Sequence, residues 1–143
     1  MSARATDAGG TAPREPVPGV RLGLPASGPG SVPGWGRRIA GLAVDWAVAT
    51  LIARTFLADS VGTDFGPLLV WALMHLLLVS TTGTTVGHAV AGTVVRRLDG
   101  RAVGLARGLA RAVLLVLVIP AVVTDPDRRG LHDRAAGTVV VRR

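Results

Sequence analysis

The chain has 143 residues, enough for one domain, and its 49% hydrophobic content with a mean hydropathy of +0.47 suits a small membrane protein better than a soluble one. The absence of cysteine excludes disulfides, thiolate nucleophiles and cysteine metal sites. The formal net charge is +7 and all sixteen basic residues are Arg, but the arginines flank apolar runs and form no continuous basic face. That distribution argues against a nucleic-acid partner and for a positive-inside membrane protein.

Residues 1–36 carry Pro13, Pro16, Pro18, Pro25, Pro29, Pro33 and eight glycines without apolar periodicity. Such a segment buries too little surface to offset its ordering entropy, and the expectation is a disordered cytoplasmic tail. It lacks the basic-then-apolar run of a secretory signal. Residues 37–143 then read as one membrane domain, with spans at about 38–58, 67–83 and 108–124.

The first span is Arg38 to Ala58. From Ile39 to Ala58 there are twenty residues with two charges, Asp45 and Arg54, a length that fits a transmembrane helix. Trp35, Arg37 and Arg38 suit the interface. Asp45, about two turns inside, costs on the order of 2.5–3.5 kcal/mol on insertion scales, so it needs a partner. Arg38 lies seven residues before it on the same helix face. Arg54 faces away and is free to snorkel outward. The turn from Ala58 to Gly66 holds Asp59 and Asp64 and no base, which makes it the outer loop and puts the N-terminus in the cytoplasm.

The second span opens at Pro67, a suitable first helical residue, and runs to Thr82 or Gly83. If the spans form a hairpin, His75 sits at the depth of Asp45. It is either a titrating partner for the acid or an aromatic-sized filler bonded to backbone. The connector from Gly83 to Arg111 is basic and therefore cytoplasmic; Thr93-Val94-Val95-Arg96-Arg97 reads as a strand and Leu98-Asp99-Gly100 as a turn. A third apolar run, Ala112 to Thr124, is interrupted by Pro120 and is either a short tilted span or a re-entrant segment.

Ala91-Gly92-Thr93-Val94-Val95-Arg96-Arg97 returns as Ala136-Gly137-Thr138-Val139-Val140-Val141-Arg142-Arg143. Two such β-branched runs can pair, provided both lie on one side of the membrane. A re-entrant third segment puts the C-terminus inside; a straight crossing puts it outside. The fold class expected is an all-α membrane protein with two transmembrane helices, a third short or re-entrant hydrophobic segment, and a small cytoplasmic β element.

Arg38 and Asp45, then Gly83-Thr84-Thr85-Val86-Gly87-His88, Asp99-Gly100, Arg111, and the closing run from Arg128 through Gly130-Leu131-His132-Asp133-Arg134-Ala135-Ala136-Gly137-Thr138 to Val140 together resemble the RDD family of small bacterial integral membrane proteins. The likeness covers roughly Gly34 to Arg143. It implies a multi-pass protein of the cytoplasmic membrane in which Arg38, Asp45 and Asp133 are the defining arginine and aspartates. It also implies transport for some relatives, with cation/proton exchange proposed for a few. The chain departs from the family at His88, where Lys is usual, and at His75, where an aromatic is common.

Two functions follow as expectations. In the first, Arg38, Asp45 and His75 form an intramembrane proton- or cation-binding group whose cytoplasmic mouth is closed by Asp133 and His132, in a homo-oligomer or as an accessory subunit of a larger complex. In the second, the same cluster is structural and the protein is a membrane scaffold or interaction protein. No enzyme, cofactor or metal is read from the sequence: His75, His88 and His132 have no H-E-x-x-H spacing, and Ser80 has no nucleophile-elbow context. The partners expected are the lipid bilayer and further copies or subunits.

Overall fold

The computed structural model describes residues 17–57, 65–117 and 123–143. Residues 1–16 of the tail, residues 58–64, which hold the end of the first span and the expected outer loop with Asp59 and Asp64, and residues 118–122 of the third segment, Pro120 among them, lie outside the described residues.

Helix α1 spans Trp35–Phe56, about 33 Å at 1.5 Å per residue, and is long and apolar enough to cross a membrane. Helix α2 (Gly66–Met74), a π-helical turn (His75–Val79) and α3 (Ser80–Thr82) follow one another as a single helix, about 25 Å long. After Gly83 come α4 (Val86–Val90) and β1 (Thr93–Arg97), then α5 (Leu105–Val116), α6 (Leu131–Ala135) and β2 (Thr138–Arg142). The third apolar segment is thus helical from residue 105, not 108. Its described helix is only about 18 Å long, short of a ~30 Å hydrocarbon core.

The side-chain pattern of α1 is inverted relative to a water-soluble helix. Its buried positions are Gly41, Asp45, Ala49 and Ala53, one every four residues. Ile39, Leu42, Trp46 and Leu51 are 46–68% exposed. Small residues inside allow close helix contact, as helices in membranes favour. The next helix repeats the pattern, exposing Leu69, Leu73 and Leu77 while burying Trp71, His75 and Val79. On α5, Leu105, Leu109, Val113 and Leu117 form an exposed row of the same period.

The repeated sequence is a repeated structure. Each copy is a five-residue helix, a glycine with positive φ (Gly92 at 65°, Gly137 at 63°) and a strand. The two strands pair antiparallel, Thr93 against Arg142, Val95 against Val140 and Arg97 against Thr138. An arginine holds each glycine turn: Arg37 Nη1 of α1 donates to the Ala91 carbonyl at 2.9 Å, and Arg107 Nη1 of α5 donates to the Ala136 carbonyl at 2.8 Å.

The segment 17–34 corrects the expectation of a disordered lead extending to residue 36. Gly30 N–H donates to the Arg142 carbonyl (2.8 Å), and Arg142 N–H donates to the Ser31 carbonyl (2.9 Å), so this backbone lines the outer edge of β2. Leu24 and Val32 pack on Val94, Val139 and Val141, and Gly19 N–H donates to Asp127 Oδ1 at 3.0 Å. Edge pairing needs backbone groups, not apolar periodicity, so Pro/Gly composition does not reveal it.

Candidate functional site

The five residues singled out from the sequence divide between two carboxylates. Asp45 lies on the buried stripe of α1 and is 1% exposed. Gly87 N–H donates to its Oδ1 at 2.7 Å, and the Thr85 hydroxyl donates to its Oδ2 at 2.5 Å. Both donors come from the start of α4, where Thr85 is also the N-cap, accepting from His88 N–H at 3.2 Å. The approach depends on glycine: a Cβ on Gly87 would stand 2.7 Å from Asp45 Cγ and run into the Gly41 carbonyl.

Two imidazoles complete the surroundings of Asp45. His75 Nε2 lies 3.6 Å from Oδ2 and His88 Nδ1 lies 3.9 Å from it. His75 occurs where the α-helix turns into π-helix, a distortion found disproportionately at functional sites. Its Nδ1 stands 3.1 Å from the Trp71 carbonyl, which only accepts, so this nitrogen carries the proton. The ring also packs on Trp71 with centroids 4.3 Å apart. Burial, reinforced by the Arg111 charge and by His75, pushes His88 down to about 3. It is therefore neutral at physiological pH, and its contact with Asp45 is not an ion pair there.

Asp133, on α6, is fully buried. Arg111 of α5 is hydrogen-bonded to its Oδ1, and the Thr138 hydroxyl donates to the same oxygen at 3.1 Å. Arg38 Nη1 is 3.9 Å and His132 Nε2 3.4 Å from Oδ2. Burial alone would raise this carboxyl, but Arg111, His132 and Arg38 outweigh it and hold the group below the usual carboxylate range. The acid thus joins α1, α5, α6 and β2.

This arrangement corrects the sequence-based pairing. Among the described residues Arg38 meets Asp133, not Asp45. The reason is direction: Arg38 is two turns from Asp45, while α6 delivers Asp133 to its own level. His75 does meet Asp45, and His132 meets Asp133. Sequence reasoning passed over Arg111, Thr85, Gly87 and His88 as site residues. Arg111 read as part of a basic connector, and the signal for the others was Thr85 as a helix N-cap ahead of Val86-Gly87-His88.

A cavity of about 130 Å³ has Asp45, His75 and His88 in its wall, together with Arg38, Arg111 and His132. It reaches Trp35 and Arg37 at the first turn of α1 and has room for several waters. The expectation of no metal ligands rested on sequence spacing. In space, one ligand atom each from Asp45, His75 and His88 lies within 4.8 Å of the others.

Among the described residues these elements define a mostly helical protein with one helix of membrane-spanning length, a two-stranded sheet, and the buried carboxylates Asp45 and Asp133 between them. The chain belongs to the RDD family, which matches residues 32–137. Arg38, Asp45, His75, His88, Arg111 and Asp133 all fall inside that match. No curated protein and no solved structure matches the chain. Family membership and the apolar α1 together support a membrane-associated protein.

Proposed function

We propose that this is a multi-pass protein of the bacterial cytoplasmic membrane in which Asp45 handles a proton or cation, as part of ion- or proton-coupled transport or as an accessory subunit to it. In this reading α1 and the helix Gly66–Thr82 cross the bilayer, α5 enters without crossing, and the N-terminal segment and the sheet are cytoplasmic. The exposed apolar side chains on all three helices support lipid contact. The pairing of β1 with β2 supports a C-terminus on the side of β1. Two full spans enclose no pathway in one copy, so the working unit is a homo-oligomer or a larger membrane complex. No catalytic chemistry is assigned.

The observation that carries this reading is the pairing at Asp45. In a neutral His75 protonated at Nδ1, the Nε2 lone pair faces Oδ2, another acceptor, at 3.6 Å. Two acceptors facing each other in a cavity attract a donor or a positive charge between them, and a proton or a metal ion fits that position. An ionisable group of this kind inside a membrane is a functional candidate by default. The test is pH-probe flux in proteoliposomes under imposed pH or sodium gradients. Wild-type vesicles should dissipate the gradient and Asp45→Asn vesicles should not; flux unaffected by the substitution overturns the reading.

A second reading, a scaffold without ion movement, is favoured by Asp133. That acid is held by Arg111, Thr138, Arg38 and His132 together, the arrangement of a structural tie between elements.

A further inference from the structure

We propose that Asp45 Oδ2, His75 Nε2 and His88 Nδ1 form a labile binding site for a first-row transition-metal dication of the zinc or cobalt kind. The inference deepens the cation-handling reading of Asp45 and rests on it.

Three candidate ligand atoms lie close together. The two nitrogens lie 3.6 and 3.9 Å from the shared carboxylate oxygen, and all three ligand atoms fall within 4.8 Å of one another. Ligand atoms of a tetrahedral zinc site stand about 3.3 Å apart, from bond lengths of about 2.0–2.2 Å. Contracting the two oxygen–nitrogen separations by under about 1 Å, and drawing the two nitrogens in from at most 4.8 Å, brings all three atoms to bonding distance of one ion.

The surroundings match what metal-binding histidines require. The Trp71 carbonyl takes the Nδ1 proton of His75, which fixes the tautomer and aims Nε2 at the site. Gly87 N–H and the Thr85 hydroxyl orient the carboxylate. The Thr85 hydroxyl has one proton and stands 2.5 Å from both Asp45 Oδ2 and His88 Nδ1. With that proton given to the carboxylate, the 2.5 Å contact requires His88 Nδ1–H to donate to Thr85 Oγ, so metal binding displaces that proton and turns the Nδ1 lone pair to the ion. Two nitrogens and one carboxylate oxygen favour zinc, cobalt, nickel or iron over magnesium or calcium. Three protein ligands leave a fourth position for water, and the cavity that reaches Trp35 and Arg37 supplies both that water and an entry path.

Charge makes the site labile. Arg37, Arg38 and Arg111 line the same cavity; Arg38 and Arg111 share one carboxylate, Asp133, and Arg37 bonds the Ala91 carbonyl. Guanidinium charge is therefore in excess, which works against a permanently held dication.

The test uses the full chain, purified in detergent without a polyhistidine tag and titrated with Co²⁺. We expect saturable visible ligand-field absorption at one Co²⁺ per chain, reversed by Zn²⁺. Tryptophan fluorescence should change with it, because the Trp71 ring lies 4.3 Å from that of His75. His88→Lys, which puts an ammonium in place of the ion, and His75→Phe, which keeps the stack on Trp71, should each weaken binding more than about tenfold. Asp99→Asn, at an exposed carboxylate in the turn after β1, should leave it unchanged. Thermal midpoints in metal-free buffer identify a variant that fails to fold; if His75→Phe does, His88→Gln decides. Absence of saturable binding, or binding by the His75 and His88 variants as tight as that of the wild type, overturns the proposal. Flux lost in Asp45→Asn without metal binding overturns the metal site alone, whereas metal binding with flux independent of Asp45 overturns the transport reading alone.

Discussion

Arg38 Nη1 and Asp133 Oδ2 stand 3.9 Å apart, joining the start of α1 to the short helix that precedes the last strand. The same carboxylate is hydrogen-bonded to Arg111 of α5, so one acid gathers two guanidinium groups from two helices. Asp133→Asn removes the counter-charge of both while nearly keeping the shape. Breaking a buried pair in this way costs about 3–5 kcal/mol. The variant should lose most of its cooperative thermal transition in detergent. Arg111→Met should be nearly as damaging. Arg38→Met should be milder, because Arg38 makes no hydrogen bond to the acid at that distance.

Acid should loosen the same junction. The carboxyl of Asp133 is held below its ordinary value, because Arg111, His132 and Arg38 overcome the opposing effect of burial. A depressed carboxyl binds fewer protons folded than unfolded. Its contribution is complete above the unfolded value of about 3.9 and is lost as pH falls from there toward the folded value. The loss is at most about 1.4 kcal/mol per pH unit. Thermal midpoints measured from pH 6 downward should fall below about pH 4, and Asp133→Asn should remove this part of the slope.

The contact between α1 and α4 should be sensitive to one methyl group. Gly87→Ala places a Cβ against both the Gly41 carbonyl and Asp45 Cγ, and overpacking of this kind costs typically about 1–3 kcal/mol. Gly36→Ala, where a Cβ meets nothing within 4 Å, is the matched control. Comparing the yield and thermal midpoint of the two variants checks the close approach.

Topology has a direct readout in a chain without cysteine. Single substitutions Ser60→Cys and Arg143→Cys should label from opposite faces of the membrane, position 60 from outside and position 143 from the cytoplasm. Labelling of both from one face would contradict two crossings followed by a return.

Much of this architecture was legible because it rests on local pattern. The apolar run after Arg38 marks α1, Pro67 marks the next helix, and the Ala-Gly-Thr-Val-Val echo marks two strands able to pair. The site was less legible because its contacts are set by which elements meet. A seven-residue spacing puts Arg38 and Asp45 on one face, but it carries no information that α6 brings Asp133 nearer. Arg111 lies at the edge of an apolar run, where charge reads as the end of a span, whereas α5 begins at Leu105 and carries Arg111 inward. His88 lies in a glycine-rich connector that reads as a turn; only the docking of α4 on Gly41 turns it toward Asp45. The backbone of residues 30–31 pairs with β2 without any side-chain signature.

In the proposed reading the two acids divide the work, with Asp133 as tie and Asp45 as ion site, and one paired measurement tests this most directly. Asp45→Asn keeps an acceptor for Gly87 N–H and offers an amide donor toward His75 Nε2, so its fold should persist. Proton flux and thermal midpoint should be recorded side by side for Asp45→Asn and Asp133→Asn in the same detergent and proteoliposome preparations. The account predicts that Asp45→Asn abolishes flux with a near wild-type midpoint, while Asp133→Asn lowers the midpoint sharply. Undiminished flux in Asp45→Asn, or a collapse of its fold as severe as that of Asp133→Asn, would contradict it.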